Sequence, residues 1–394
     1  MKTRWMKYTA LLLLIAVLSS AFISGAAADN SRTFTDDMGR TVVLPETVDK
    51  IIPSGNLAIS ILTAYSPEYL ASCGNDLPPN SDKYLPKFAE LNLPVTGNIL
   101  GSAATVNYEE VMRLASLGVD VYVDAGQKKG NVAELLDGFT KTSGLPAVFI
   151  SQNSLEEIPE SYRKIGYVLG EDKRGEELYA YLKDWVDTFT EGMKSVEKVS
   201  AAQINMIDGN SMYILGGFND DRTLGYQSTP ISTLADNIVT AKTNKGLGDL
   251  YGMEETMNIL QKNDPDYIFI SGTKDHAHYT AFLENPLFAE LSAVKSGNVY
   301  EIPADCPYLW TAQPFSGWGI CGMIWMANIM YPEIFNYDAK EKIQEFYKVM
   351  IGYSLSDEEY DELTGGKHTA KSPVPFAGIA AGLAAALLFT LRRR

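Results

Sequence analysis

Chemistry has few starting points in this chain, because its 394 residues include only three histidines and three cysteines. His276 and His278 stand in the run KDHAHY, on a loop that follows an apolar stretch ending at Ser271. A His-x-His pair can hold a metal ion when two further ligands join it. No Cys-rich or Asp/His-rich partner stands elsewhere in the chain, and His368 falls near the C-terminal end. Cys73, Cys306 and Cys321 are too few for a disulfide scaffold and match no zinc spacing. Cys306 and Cys321 could pair and leave Cys73 over; three buried free thiols are the alternative. No nucleophile stands with a base in a recognisable constellation. Gly216–Gly217 and Gly246–Gly248 lack the spacing of a phosphate loop, and Gly97–Asn98 alone is a weak signal. The residues therefore point to binding, not to catalysis.

The elements that would position a binding site are clearer. Residues 107–123, NYEEVMRLASLGVDVYV, return as residues 253–269, MEETMNILQKNDPDYIF. Each copy has a Glu pair, a short helical stretch, an Asp and a β-rich apolar run. An offset of 146 aligns Glu109 with Glu255 and Asp120 with Asp266, whereas 145 aligns Met112 with Met257. A helix feeding a buried parallel strand is half of a βαβ unit, and two copies imply two similar lobes. Glu109 and Glu255 begin their helices, where the helix dipole alone would favour an acid.

Around this repeat, Phe34–Leu44 reads as a hairpin turning at Met38–Gly39, followed by a strand at Lys50–Ile52. Helices are expected at Leu57–Tyr65, Glu109–Leu117 and Val132–Thr142, and strands at Val119–Asp124 and Ala147–Ile150. From Leu155 to Val196 the pattern is helical throughout, with a break at Gly170. Leu178, Tyr181, Leu182, Trp185 and Phe189 share one face there, which suits a rigid connector. Strands then resume at Ala202–Ile207, Tyr213–Leu215, Tyr267–Ser271 and Val299–Ile302. The expected organisation is a signal peptide over 1–28, an α/β lobe over 34–154, a helical connector over 155–199 and a second α/β lobe over 200–350. A stalk over 351–374 and an anchor over 375–394 complete it.

The ends carry the targeting signals. Lys2, Arg4 and Lys7 precede an apolar run, and Ala26–Ala27–Ala28 offers a cleavage site, so residues 1–28 read as an export signal; an uncleaved anchor is the alternative. Pro375–Leu391 is uncharged and is followed by Arg392–Arg394, near the short limit of a span of about 17–25 residues. All 49 acidic residues lie between these ends against 25 basic ones, a formal charge of −24 for the body. Such a body argues against nucleic-acid and anionic-lipid partners.

Several of these pieces resemble a known family. The opening FTDDMGRTVVLPETVDKII, the element Asn107-Tyr108-Glu109 … Val119-Asp120-Val121-Tyr122, its counterpart Glu255 … Asp264-Pro265-Asp266-Tyr267-Ile268, and the ending AVKSGNVYEIP … WMANIMYPEIF are similar to the substrate-binding proteins of ABC importers with a single helical backbone. That family serves ferric siderophores, haem and cobalamin, and the likeness runs over most of residues 34–350. It implies an α/β fold of two Rossmann-like lobes joined by one long helix, with a ligand cleft between them. It also implies ABC permease subunits with their ATPase as partners, no resident cofactor, and Glu109 and Glu255 as docking knobs for the permease. The tail SPVPFAGIAAGLAAALLFTLRRR resembles the sorting tails of archaeal surface proteins, which implies a tether outside the cell. Residues 216–251 carry little of the family pattern.

Ligands of two-lobed α/β proteins sit at the carboxyl ends of strands. That rule nominates Ser54, Gly55 and Asn56, with Asn98, Asp124, Gln127, Tyr213 and His276, and the loop holding Tyr308 and Trp310. Arg222, with Tyr226 near it, would suit an anionic chelate, and aromatic faces would suit a flat one. The expected ligand is a ferric siderophore or haem-like chelate. A corrinoid, a free metal or oxyanion, and a non-transport surface enzyme or adhesion protein are the alternatives.

Overall fold

The computed structural model describes residues 31–100, 104–128, 130–152, 154–208, 211–214, 230–237, 249–308, 310 and 316–365. The N-terminal lobe begins with the antiparallel hairpin β1 (Ser31–Thr35) and β2 (Thr41–Pro45). Then come β3 (Ile51–Ser54), α1 (Gly55–Leu62) and two single-turn helices, α2 (Ser81–Tyr84) and α3 (Pro86–Ala89). The lobe closes with α4 (Tyr108–Ser116), β4 (Val121–Gly126), α5 (Val132–Ser143) and β5 (Ala147–Ser151). Strands β3, β4 and β5 form a parallel sheet with β4 in the middle. All six residues of β4 are buried, as expected of a strand covered on both faces.

The two aspartates of the hairpin turn lock it onto this sheet. Buried Asp36 accepts hydrogen bonds from the N–H groups of Met38 and Arg40, each at 3.0 Å, and from the Arg40 guanidinium at 2.6 Å. Asp37 accepts from Ser151 N at 2.8 Å and from Lys164 Nζ at 2.5 Å. The turn thereby covers the free edge of β5, which would otherwise present unpaired backbone.

Two helices connect the lobes. They are α6 (Glu157–Leu169) and α7 (Asp172–Met193), separated at Gly170, whose φ of 76° ends the first. Leu178, Leu182, Trp185, Val186 and Phe189 are the buried stripe of α7. Trp185 meets Tyr337 edge-on at 5.3 Å and stacks with Phe189 at 5.7 Å.

The C-terminal lobe contains β6 (Ser200–Asp208), β7 (Ser211–Ile214), α8 (Pro230–Leu234), β8 (Asp236–Asn237), β9 (Asp249–Gly252), α9 (Met253–Asn263) and β10 (Tyr267–Ser271). It continues through α10 (Ala277–Glu284), α11 (Ser292–Ser296) and β11 (Val299–Ile302). The sheet runs β11-β10-β6-β7-β9, with β8 pairing β6. Strands β11, β10, β6 and β8 pair in parallel, whereas β7 and β9 run antiparallel to their neighbours. The lobe is thus Rossmann-like at one side and hairpin-like at the other. The last helices are α12 (Gly317–Met330), α13 (Ala339–Ile351) and α14 (Asp357–Leu363).

The internal repeat is real at the level of elements. The helix starts, Tyr108 and Met253, lie 145 residues apart, and the strand starts, Val121 and Tyr267, lie 146 apart. In the second copy the helix is two residues longer and the link to the strand one shorter, a net gain of one residue, so both offsets hold locally. The repeated aspartates do the same work in each lobe. Asp120 accepts from the N–H groups of Asp49 and Lys50 at 2.8 and 2.9 Å, and Asp266 accepts from Ser200 N and Oγ at 2.9 and 2.7 Å. Each ties the entry of the central strand to that of its neighbour.

One apolar core crosses the whole molecule. It joins Ile51 and Val121 of the first sheet, Trp185 of α7, Ala201 and Phe269 of the second sheet, and α12. Helix α12 is buried all round, and Gly322 lets it approach Trp310, since a Cβ there would stand 2.1 Å from the Trp310 carbonyl oxygen. A wide opening of the lobes would expose this core, so the architecture favours a small hinge motion. Residues 353–363, assigned from sequence to a stalk, pack on the body. Tyr360 is buried, and Ser356 and Glu359 form a reciprocal cap at the start of α14. Among the described residues no helix is long and apolar enough to cross a membrane. The expected signal and anchor segments lie outside the described residues.

Candidate functional site

A large recess follows from strand ends in the N-terminal lobe. Strand β3 stops at Ser54, paired in register with Asp124, two residues before the end of its parallel neighbour β4. The chain must turn sharply there to enter α1, and Gly55 does so at φ 64°, a left-handed value that suits glycine. Helix α5 begins six residues beyond the end of β4, and Asn131 and Val132 at its start line the same recess. Together with the loop at Asn98 these ends enclose a cavity of about 610 Å³. Six of the residues nominated from sequence line it: Ser54, Gly55, Asn56, Asn98, Asp124 and Gln127.

The cavity mixes apolar walls, Leu57, Ile99, Val132 and Leu135 among them, with polar groups that carry no positive charge. No Lys, Arg or His is among its described lining residues. Asp124 is only 3 % exposed, and its Oδ2 has no hydrogen-bond partner. Burial pushes its carboxyl up to about 7, against opposing hydrogen bonds from the Ser54 hydroxyl and the Ala125 N–H. Asn98 Oδ1 is buried without a partner as well. Ser54 and Asn131 precede α1 and α5, and neither side chain caps its helix. The first-turn N–H groups of both helices therefore lack the side-chain acceptors such positions commonly have.

Sequence reasoning missed two asparagines of this site. Asn131 opens α5 as Asn56 follows the opening of α1, so the strand-end rule that found one applies equally to the other. Asn75, whose Nδ2 donates to Asn56 Oδ1 at 3.3 Å, arrives on an irregular loop that carries no local signal.

The other nominated residues lie elsewhere. His276 sits at φ 58° with Nδ1 2.6 Å from Glu301 Oε2, beside a separate recess of about 180 Å³ that also involves Lys83, Tyr84, Asp305 and Glu359. Among the described residues no group of three His, Cys, Asp or Glu could hold a metal ion. Trp310 is fully buried in the core, where its Nε1 donates to the Tyr347 hydroxyl at 3.3 Å, so it packs and does not face a cavity. Tyr308 is half-buried, its hydroxyl 3.5 Å from Thr63 Oγ1 and its ring tilted against Trp318 at 5.4 Å, and so fastens the second lobe to the end of α1. The β7 backbone at Tyr213 pairs with Asn205 and Leu250. Arg222 and Tyr226 lie outside the described residues. Cys73, Cys306 and Cys321 are free and buried, and the Cys306 thiol donates to the Tyr308 carbonyl at 3.1 Å. The possible Cys306–Cys321 bond is therefore absent.

Comparison with known proteins agrees with this architecture. Residues 139–306 match the periplasmic binding protein family model. An ABC transporter solute-binding protein from Sulfurospirillum deleyianum superposes with a TM-score of 0.69 at 20% identity, covering 85% of this chain and 99% of that one. The molybdate periplasmic binding protein of Haemophilus influenzae, bound to molybdate, gives 0.58 at 15% identity over 82% and 99% of the two chains. The periplasmic catecholate-siderophore binding protein of Vibrio cholerae gives 0.52 at 15% identity over 75% and 99%. The fold is that of the ABC-transporter solute-binding proteins. None of the curated proteins searched by sequence matches the chain.

Both acidic knobs of the repeat are exposed. Glu109 is in the first turn of α4 and Glu255 in that of α9. Their neighbour Glu110 is engaged by the Arg113 guanidinium at 2.6 Å, which leaves Glu109 as the outward acid of that pair.

Proposed function

We propose that this protein is the extracytoplasmic substrate-binding component of an ABC importer, and that it captures a metal chelate and hands it to the permease. The observation that carries this reading is the cavity at the strand ends. Its volume of about 610 Å³ suits a small molecule of chelate size and far exceeds the needs of a bare ion. A single cation would need a converging set of protein ligands, and none is present among the described residues. The matched family and the similar structures are binding proteins, which supports a non-enzymatic role.

Among chelates, a ferric siderophore or haem-like compound is the first choice and a corrinoid the nearest alternative. Glu109 and Glu255 are proposed to dock on cationic sites of the two permease subunits, and the C-terminal segment to tether the protein outside the membrane. A second reading, capture of an oxyanion, is favoured by the two uncapped helix starts beside Asp124. Native mass spectrometry of the purified protein against ferric catecholate, ferric citrate, haem, cobalamin and molybdate separates these readings. One retained chelate per chain supports the first; retention of none of the five counts against the import role.

A further inference from the structure

We propose a second ligand site, at the joint between the first lobe and the connector, that seats a small carboxylate with an aromatic body. A recess of about 430 Å³ opens where four elements meet: the turn after α1, the α2–α3 pair, the first turn of α7 and the end of α13. It shares no lining residue with the strand-end cavity, so it stands apart from the role proposed above. Its volume lies within the range of small-molecule sites, about 300–1,000 Å³.

Charge sets the class of ligand. The chain has 49 acidic residues against 33 basic ones, yet Arg174 and Lys87 line this recess and no acid does. Arg174 is the third residue of α7, and backbone holds its guanidinium in place. Nε donates to the Ala64 carbonyl at 3.1 Å and Nη2 to the Val349 carbonyl. Ala64 lines the recess and Val349 precedes the lining residue Met350, so these two bonds keep the cationic head at the wall. Nη1 makes no hydrogen bond. The acid it approaches is the exposed Glu177, at 3.8 Å, a loose surface pair that contributes little. The Arg174 side chain is 31 % exposed, and a guanidinium fixed in this way with donors to spare suits a carboxylate. Acids near the walls are engaged elsewhere: Glu171 accepts from the Tyr69 hydroxyl, and Glu359 accepts from Tyr353 and pairs with Lys83 at 3.2 Å.

The rest of the wall calls for an apolar body. Tyr65, Tyr84, Phe88 and Met350 line the recess and are buried, and Tyr353 lines it beside them. The Tyr65 hydroxyl donates to the Tyr162 carbonyl, that of Tyr84 to the Asp305 carbonyl at 2.9 Å, and that of Tyr353 to Glu359. None of these acceptors lines the recess, so the tyrosines offer it rings, with Tyr84 and Tyr353 edge to face at 5.0 Å. A bare anion would leave these surfaces in water, whereas an aromatic body would cover them. A molecule seated there touches the first lobe, the connector and the C-terminal helices at once.

Calorimetric titration of the intact protein with indole-3-acetate and naphthalene-1-acetate tests the site, beside indole-3-acetamide, acetate and inorganic phosphate. Each aromatic acid should bind once per chain and raise the thermal midpoint. The amide, acetate and phosphate should bind at least about tenfold more weakly. Arg174→Gln should weaken the aromatic acids by about tenfold or more, and Arg174→Lys, which keeps the charge without the fork, should recover only part of that loss. Lys87 is exposed, so Lys87→Glu leaves the packing alone and keeps the test open if the Arg174 variants do not fold. It too should weaken the aromatic acids. No binding of either aromatic acid, equal affinity for the amide or for phosphate, or affinity unchanged in every folded variant overturns the inference.

Discussion

Replacing Asp124 with Asn should stabilise the free protein at high pH and leave it nearly unchanged at low pH. The unfolded carboxyl ionises at an ordinary value near 3.8, and burial raises the folded one to about 7. Between those values the folded chain keeps a proton that the unfolded chain has lost, so stability falls as pH rises through the interval. Each unit corresponds to about 1.4 kcal/mol, and the interval of roughly three units gives a loss of about 4 kcal/mol at pH 8 relative to pH 3.5. Asn carries no such titration at nearly the same volume. Urea denaturation of both proteins from pH 4 to 8.5, at a common temperature, measures the difference directly. The variant's advantage should grow from pH 4 to about 7 and then level off. A difference that is constant with pH would refute the buried, unpaired state assigned to Asp124.

Other expectations follow from particular contacts. Trp185→Ala should cost about 3–5 kcal/mol in denaturant melts, because it empties the stripe by which α7 holds the lobes. Gly322→Ala should cost at least about 1–3 kcal/mol in the same melts, since its new methyl group meets the Trp310 backbone. Asp266→Ala should lower stability by about 1–3 kcal/mol through the loss of its bonds to Ser200 N and Oγ. Glu109→Ala with Glu255→Ala should leave ligand affinity intact while uptake falls, and salt should weaken permease binding of wild type more than of the variant. Normal uptake by that double variant would remove the docking assignment.

Much of this was legible in the chain because periodicity and strand-end rules act locally. The helix Glu109–Leu117, the break at Gly170 and the strand Tyr267–Ser271 all appear within a residue or so of where their patterns placed them. Ser54, Asn56, Asn98, Asp124 and Gln127 converge because a parallel sheet brings its carboxyl ends to one side. Strand β7 overlaps the expected Tyr213–Leu215, but β9 was not foreseen, since the stretch before it has no clear apolar alternation. Trp310 and Tyr308 were nominated for exposed aromatic faces, but tertiary packing against Tyr347 and Trp318 decides their positions, and no local pattern reports that. The 353–363 segment likewise looked peripheral until Tyr360 was seen to reach the shared core.

Capture of a small ligand in the first-lobe cavity is the central claim, and native mass spectrometry of wild type beside Asn98→Trp tests it most directly. The substituted indole would occupy the cavity without entering the core. Wild type should retain one molecule from the panel of ferric chelates, cobalamin and oxyanions, and Asn98→Trp should lose it while its thermal melt stays cooperative. A ligand held equally by both proteins would place the site elsewhere and contradict the account.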